Sequence, residues 1–272
     1  MELMYERCAG LDVHKKSVTV CTITPEGKDI RTYDTTTRRL LEMSEWLQSK
    51  GIKHVAMEST GVYWKPIYNL LEAADFSMCV VNAHRIKTVP GRKTDVKDAE
   101  WIADLHRHGL LSPSFIPDRN QRELRELVRY RKELVHERAH EVNRIQKVLE
   151  GANIKLGDVV SDISGKSGRA MLSAIVEGYS DPEILADMAK GRLKSKKEQL
   201  KQALEGLVGP HQKMLLGIQL EHLKALEQQI EQLNKEIEAR MRPFDEAIKV
   251  ADHIPGIGVR IAQEILAEMG TD

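Results

Sequence analysis

Cys8-Ala9-Gly10-Leu11-Asp12 and, four residues later, Ser17-Val18-Thr19-Val20-Cys21-Thr22-Ile23 decide how the amino-terminal part of this chain is read. Both runs are short, apolar and rich in β-branched residues, so they read as strands. Pro25-Glu26-Gly27-Lys28 between Ile23 and the next polar run is a turn, and a third strand is expected near Asp29–Thr35. Three strands joined by short turns make an antiparallel meander.

The elements that follow convert this meander into a larger sheet. Thr37–Lys50 carries Leu40, Leu41, Met43, Trp46 and Leu47 at helical spacing, and Gly51 stops it. His54-Val55-Ala56-Met57-Glu58 is a short strand, Trp64–Ala74 a helix, and Ser77-Met78-Cys79-Val80-Val81 another strand. Arg92-Lys93-Thr94-Asp95-Val96-Lys97-Asp98-Ala99 then opens an amphipathic helix. The order βββ-α-β-α-β-α implies a central sheet with an antiparallel edge and helical crossovers, the outline of a ribonuclease-H-like α/β fold.

Past Pro113 and Pro117 the character changes. Asp118–Glu150 reads as one long polar helix whose apolar positions approximate a heptad, interrupted by Arg131 and Arg138. Residues 151–209 hold scattered glycines and suggest a small helical insertion. His211–Met241 is a second long helix with Leu216, Leu223, Leu226, Ile230, Leu233 and Ile237 in register. The two long helices are expected to pair as an antiparallel coiled coil or to dimerise. A short helix, the turn His253–Gly258 and a second helix over Val259–Met269 complete the chain. The expected domains are therefore residues 1–112, a coiled-coil region over 118–241 with its insertion at 151–209, and a helical piece over 244–272.

At 272 residues the chain exceeds one minimal core and suffices for two domains. Charged residues make up 30% and aromatic residues 4%, a balance that suits long solvated helices better than a compact β protein. The 41 basic and 41 acidic residues cancel, so any case for a nucleic-acid partner has to come from local clustering. Cys8, Cys21 and Cys79 are scattered and odd in number, as expected of small buried hydrophobes in a reducing cytoplasm. Neither a signal peptide nor a membrane span is expected, since there is no basic-then-apolar leader and no long uncharged apolar run.

Four acids carry the chemistry. Asp95 and Asp98 are three apart and share one helical face. Asp12 ends one apolar strand and Glu58 ends another. Carboxylates so arranged are what a hard divalent cation needs, and a two-metal phosphodiester site uses three or four of them, so Mg²⁺ is the expected cofactor. Each acid alone also reads as a cap or a solvated charge: Asp12 begins a turn equally well, and Asp95 beside Thr94 suits a helix start. Arg92, Lys93 and Lys97 surround the acids and suit a polyanionic substrate, or ordinary surface pairing. In Glu58-Ser59-Thr60-Gly61-Val62-Tyr63 the hydroxyls and glycine admit a phosphate, and Ser59 or Thr60 also fits as a helix cap.

Two further stretches bear on nucleic acid. Arg122, Arg125, Arg129 and Lys132 form one stripe that can follow phosphates, or that pairs with Glu123, Glu126 and Glu133. Ile254-Pro255-Gly256-Ile257-Gly258-Val259-Arg260 reads as a helix-hairpin-helix. There Gly256 and Gly258 bring backbone N–H groups to a phosphate and Arg260 adds charge, although such hairpins also serve in packing alone. His14, His84, His106 and His108 do not form a zinc set, and no P-loop occurs.

Gly10-Leu11-Asp12-Val13-His14-Lys15, Met57-Glu58-Ser59-Thr60-Gly61, Lys93-Thr94-Asp95-Val96-Lys97-Asp98-Ala99 and the 254–258 hairpin occur in one order. In that order they resemble the DEDD-type insertion-sequence transposases related to the Piv/MooV DNA invertases, some of which are guided by a bridge RNA. The resemblance implies a RuvC-like amino-terminal domain with Asp12, Glu58, Asp95 and Asp98 as catalytic, Mg²⁺-binding acids. It implies DNA strand cleavage and rejoining. Its implied partners are DNA, a structured guide RNA and further copies of the chain, as a dimer through the coiled coil or a tetramer on DNA. In that family a further domain with a serine nucleophile follows the hairpin; this sequence ends at Asp272, so the resemblance implies a shortened chain. Rival readings are a RuvC-like junction-resolving endonuclease and a non-catalytic nucleic-acid-binding chain. An actin-like kinase needs glycines after the first strand-end acid, where this chain has Val13-His14.

Overall fold

The structure is a computed structural model, and it describes residues 3–59, 61–82 and 98–271. It separates into two compact units, Met1–Ile116 and Pro117–Asp272. No helix among the described residues is long and apolar enough to cross a membrane.

In the first unit, β1 (Cys8–Val13), β2 (Ser17–Thr24) and β3 (Gly27–Asp34) form the meander, and β4 (His54–Glu58) and β5 (Ser77–Val81) extend it. The sheet order is β3-β2-β1-β4-β5. β2 is antiparallel to β1 and β3, while β4 is parallel to β1 and β5 parallel to β4. This mixed sheet, with its antiparallel edge, is the ribonuclease-H-like outline that the sequence led us to expect. The third strand starts at Gly27 rather than near Asp29, because Thr24 pairs with Gly27 and Ile23 with Lys28, so the ladder runs down to the turn.

Period-two alternation gives the sheet two apolar faces. Leu11 and Val13 of β1, Val55 and Met57 of β4 and Val80 of β5 point to one face. There they meet α1 (Thr37–Ser49) through Leu40, Met43 and Leu47, and α2 (Trp64–Ala73) through Ile67 and Leu71. Cys8 and Cys21 point to the other face, as do Ala56 and Val81, and α3 (Asp98–Arg107) covers it with Ala99, Ile102, Ala103 and Leu105.

In the second unit, α4 (Arg119–Gly151) starts at Asp118, whose carboxylate accepts a hydrogen bond from the Gln121 backbone N–H at 3.1 Å. Four short helices follow, α5 (Leu156–Val159), α6 (Lys166–Glu177), α7 (Pro182–Ala186) and α8 (Lys197–Leu204), with a 3-10 turn at Gly191–Lys196. The long α9 (Pro210–Met241) then returns along α4. Leu124 and Val128 pack with Ile237 and Met241, Leu134 with Leu226 and Ile230, and Ile145 and Leu149 with Leu216 and Leu223, so the two helices run antiparallel. α10 (Asp245–Asp252) and α11 (Val259–Met269) pack on the Leu124 end of this pair.

The two arginines that break the apolar repeat sit where a third element joins the pair. Buried Arg131 donates to Gln263 Oε1 of α11 at 2.8 Å. Arg138 donates to Glu227 Oε1 of α9 at 2.9 Å and to Ser164 Oγ, just before α6, at 2.8 Å.

Candidate active site

Strand register places the first two acids. β1 and β4 are parallel neighbours with Gly10 opposite Ala56 and Leu11 opposite Met57. One step further along each strand come Asp12 and Glu58, side by side at the carboxyl ends. Adjacent strands stand about 4.8 Å apart, so the two carboxylates belong to one neighbourhood. Leu11 and Met57 face α1 and α2, so alternation turns Asp12 and Glu58 to the opposite face, the one that α3 covers.

The path of α3 brings the third acid to the same edge. The Arg107 carbonyl at its carboxyl end accepts hydrogen bonds from the Met4 and Tyr5 N–H groups, before β1 begins. Midway, Cys8 Sγ donates to the Ala103 carbonyl at 3.6 Å. A Cβ on Gly10 would collide with the Ala103 nitrogen and the Ala99 oxygen and would sit 2.8 Å from the Ala103 Cα. The helix therefore runs opposite to β1, with its amino end, and Asp98 with it, toward the end of the strand where Asp12 stands. That amino end carries the positive pole of the helix dipole, which favours the acids of its first turn, Asp98 and Glu100.

Asp12 is half-buried, and His14 Nε2 stands 3.2 Å from its Oδ2. In the sequence His14 is part of the Gly10–Lys15 motif and of no zinc set, and nothing there pairs it with Asp12. Its place two residues past Asp12, just beyond the end of β1, was the available signal. Among the described residues no group of three His, Cys, Asp or Glu side chains stands close enough to hold a metal ion. Asp95, Arg92, Lys93 and Lys97 lie outside the described residues. The donor chemistry of Asp12, Glu58 and Asp98 is all carboxylate oxygen, which matches the preference of Mg²⁺.

The basic stripe of α4 has partners on α11. Arg125 donates to the Ala267 carbonyl at 3.2 Å and to the Glu268 carbonyl at 2.5 Å. Arg129 forks onto both carboxylate oxygens of Glu268 at 2.6 and 2.8 Å, and Lys132 Nζ is 3.5 Å from Glu264. Arg122 donates to the Pro117 carbonyl at 2.6 Å. Gln121, which the sequence reading passed over, is buried and donates to the Leu266 and Ala267 carbonyls at 2.6 and 2.8 Å, capping the carboxyl end of α11. In the turn ahead of α11, Gly256 has φ +88° and Gly258 is the N-cap; both glycines and Arg260 are exposed.

A family model described as a transposase, of the DEDD type of IS110, matches residues 9–154, more than half of the chain. No curated protein matches. Among solved structures the chain is similar to "T. thermophilus RuvC in complex with Holliday junction substrate" at 12% identity and a TM-score of 0.30, over 40% of this chain and 100% of that one.

Proposed function

The chain belongs to the DEDD transposase family, and from that premise we propose that its amino-terminal unit is the Mg²⁺-dependent catalytic domain of a transposase that cleaves and rejoins DNA. The observation that carries this reading is the shared edge of Asp12, Glu58 and Asp98. Two of these acids stand at neighbouring parallel strand ends, and the third opens the helix that crosses them. Assignment of the cation to these three together with Asp95 rests on the sequence resemblance, since no three of the described acids stand close enough to hold it by themselves. When bound there, Mg²⁺ supplies Lewis-acid stabilisation of charge on the phosphodiester oxygens. The protein's own part is to hold the carboxylates in place. His14 restrains Asp12, and the amino end of α3 favours the charge of Asp98.

The finer parts of the reading rest on the sequence resemblance: a structured guide RNA, further copies of the chain and a serine nucleophile. No serine of these residues is assigned that nucleophilic role. The apolar stripes of α4 and α9 are buried against each other within the chain. A dimer formed through these two helices therefore uses their outer faces. We also propose the exposed 256–260 turn as a nucleic-acid contact. It is a stronger candidate than the α4 stripe, whose cations already have partners.

The test is strand cleavage of the element's own DNA junctions by the purified chain or its recombination complex, with and without Mg²⁺. Asp12→Asn and Asp98→Asn should each abolish cleavage, a loss of 100-fold or more, while the circular dichroism spectrum and melting curve stay unchanged. Full activity in either variant sinks the assignment. Cleavage confined to branched DNA, without rejoining, favours a junction-resolving nuclease instead. Sequencing the nucleic acid that co-purifies tests the guide: a discrete structured RNA supports it.

A further inference from the structure

The second unit contains an open cleft of about 730 Å³ that neither the acids nor the α4 stripe accounts for. Its walls come from two segments: the stretch from Gly157 through the first turn of α6, and Lys190 with the 3-10 turn from Gly191 to Lys196. Lys166, Lys190, Arg192 and Lys196 line it, all exposed. None of the four has an ion-pair partner among the described residues, in contrast to Arg125, Arg129 and Lys132 of α4. The acids on its walls are Asp158 and Asp162. The Asp162 carboxylate is already engaged, accepting from the Ser164 N–H at 2.8 Å and the Ser164 hydroxyl at 2.6 Å.

The walls are stitched together rather than merely adjacent. The Lys190 backbone N–H donates to Ser167 Oγ at 2.9 Å, tying the second wall to the start of α6. Lys196 Nζ donates to the Val159 carbonyl at 3.2 Å, which uses one of its three protons and leaves the charge in place. Gly168 lets α6 lie directly on residue 163, since a Cβ there would sit 2.7 Å from the Ile163 carbonyl carbon. The N-cap of α6 is Gly165, and no side chain caps the first N–H groups of the helix. Four long cations held around one open, solvated cleft suit successive phosphates of a backbone. Lysine and arginine bind such phosphates by charge, without reading bases.

We propose that this cleft is a second nucleic-acid contact of the protein, binding a phosphodiester backbone independently of the carboxylate site. The proposal rests on the transposase reading for its class of ligand. It adds a binding surface in the 151–209 region, where the sequence reading placed none.

The experiment uses the full chain in EDTA, so that binding is read without cleavage. Fluorescein-labelled 30-base-pair DNA and an RNA hairpin of similar length are titrated by anisotropy across a series of NaCl concentrations. The triple variant Lys166→Gln/Lys190→Gln/Arg192→Gln should raise Kd for at least one probe about tenfold or more and flatten its log–log salt slope by roughly two to three. A control triple, Lys147→Gln/Lys224→Gln/Lys235→Gln, removes equal charge elsewhere in the same unit and should change Kd less than threefold. Loss confined to the DNA probe assigns the cleft to DNA, and loss confined to the hairpin assigns it to RNA. Unchanged affinity and slope in the cleft triple, or an equal loss in the control, overturns the proposal. If the parent chain binds neither probe at low salt, the nucleic-acid part of the proposed function fails as well.

Discussion

Gly10 carries more of the proposed catalytic edge than its size suggests, because it sets how closely α3 can lie on β1. Gly10→Ala would push the helix away from the strand at Ala99 and Ala103. Overpacking of this kind costs about 1–3 kcal/mol. It also moves Asp98 relative to Asp12, so cleavage should fall by more than the stability loss explains; kinetics on the still-folded fraction check this. His106, buried at 5% exposure against Tyr5, makes a pH prediction. Burial, with His54 as the second cause, lowers its pKa from 6.5 to about 4. Between those values the unfolded chain binds a proton that the folded chain refuses, so stability falls as pH drops through that window. The full effect is on the order of 2–4 kcal/mol. Chemical denaturation at pH 7 and pH 4.5 should show that loss in the parent and a much smaller one in His106→Phe. An equal loss in both would place the acid sensitivity elsewhere.

At the scale of elements, the attachment of α11 to α4 separates two kinds of contact that a sequence stripe cannot distinguish. Arg129 and Glu268 are an exposed pair in which the arginine's hydrogen bond holds the carboxyl below its usual range. Pairs of this kind contribute about 0–1 kcal/mol. Gln121 is buried and satisfies two carbonyls, and removing such a donor costs about 1–3 kcal/mol. Gln121→Leu should therefore lower the unfolding free energy more than Arg129→Ala, and the reverse order would mean that charge rather than capping fastens α11. The heptad pattern in the sequence correctly marks both long helices but treats Arg131 and Arg138 as interruptions. Their use becomes visible only when Gln263 and Ser164 arrive from distant positions. The basic stripe was equally visible and equally ambiguous, because the acids that meet it lie some 135 residues away, on α11, rather than on α4 itself.

For the whole molecule, what was legible in the sequence is what local pattern encodes: the alternating strands, the long helices, and the strand-end placement of Asp12 and Glu58. The direction of α3 over the sheet, which brings Asp98 to that edge, needed the register of β1 against β4 and the contacts of Gly10. The 151–209 region stayed hard to read because its helices are short and its hydrophobic contacts run to α4 and α9 rather than within any one helix. The Ser114 N–H donates to the Val80 carbonyl of β5 at 2.7 Å, and Ile116 packs on the core beneath α1 and α2. The segment up to Ile116 thus belongs to the first unit, although Pro113 breaks it and Pro117 follows it. Separate polypeptides spanning 1–116 and 117–272 should each unfold cooperatively. A 1–110 fragment loses the strand-edge hydrogen bond and the partial burial of Ile116, together about 1–3 kcal/mol. For a domain of this size that lowers Tm by roughly 5–15 °C relative to 1–116. Calorimetry of the three fragments decides it: equal melting of 1–110 and 1–116 would make residues 111–116 a passive tether, and failure of 1–116 to fold would show that its core is completed from the second unit.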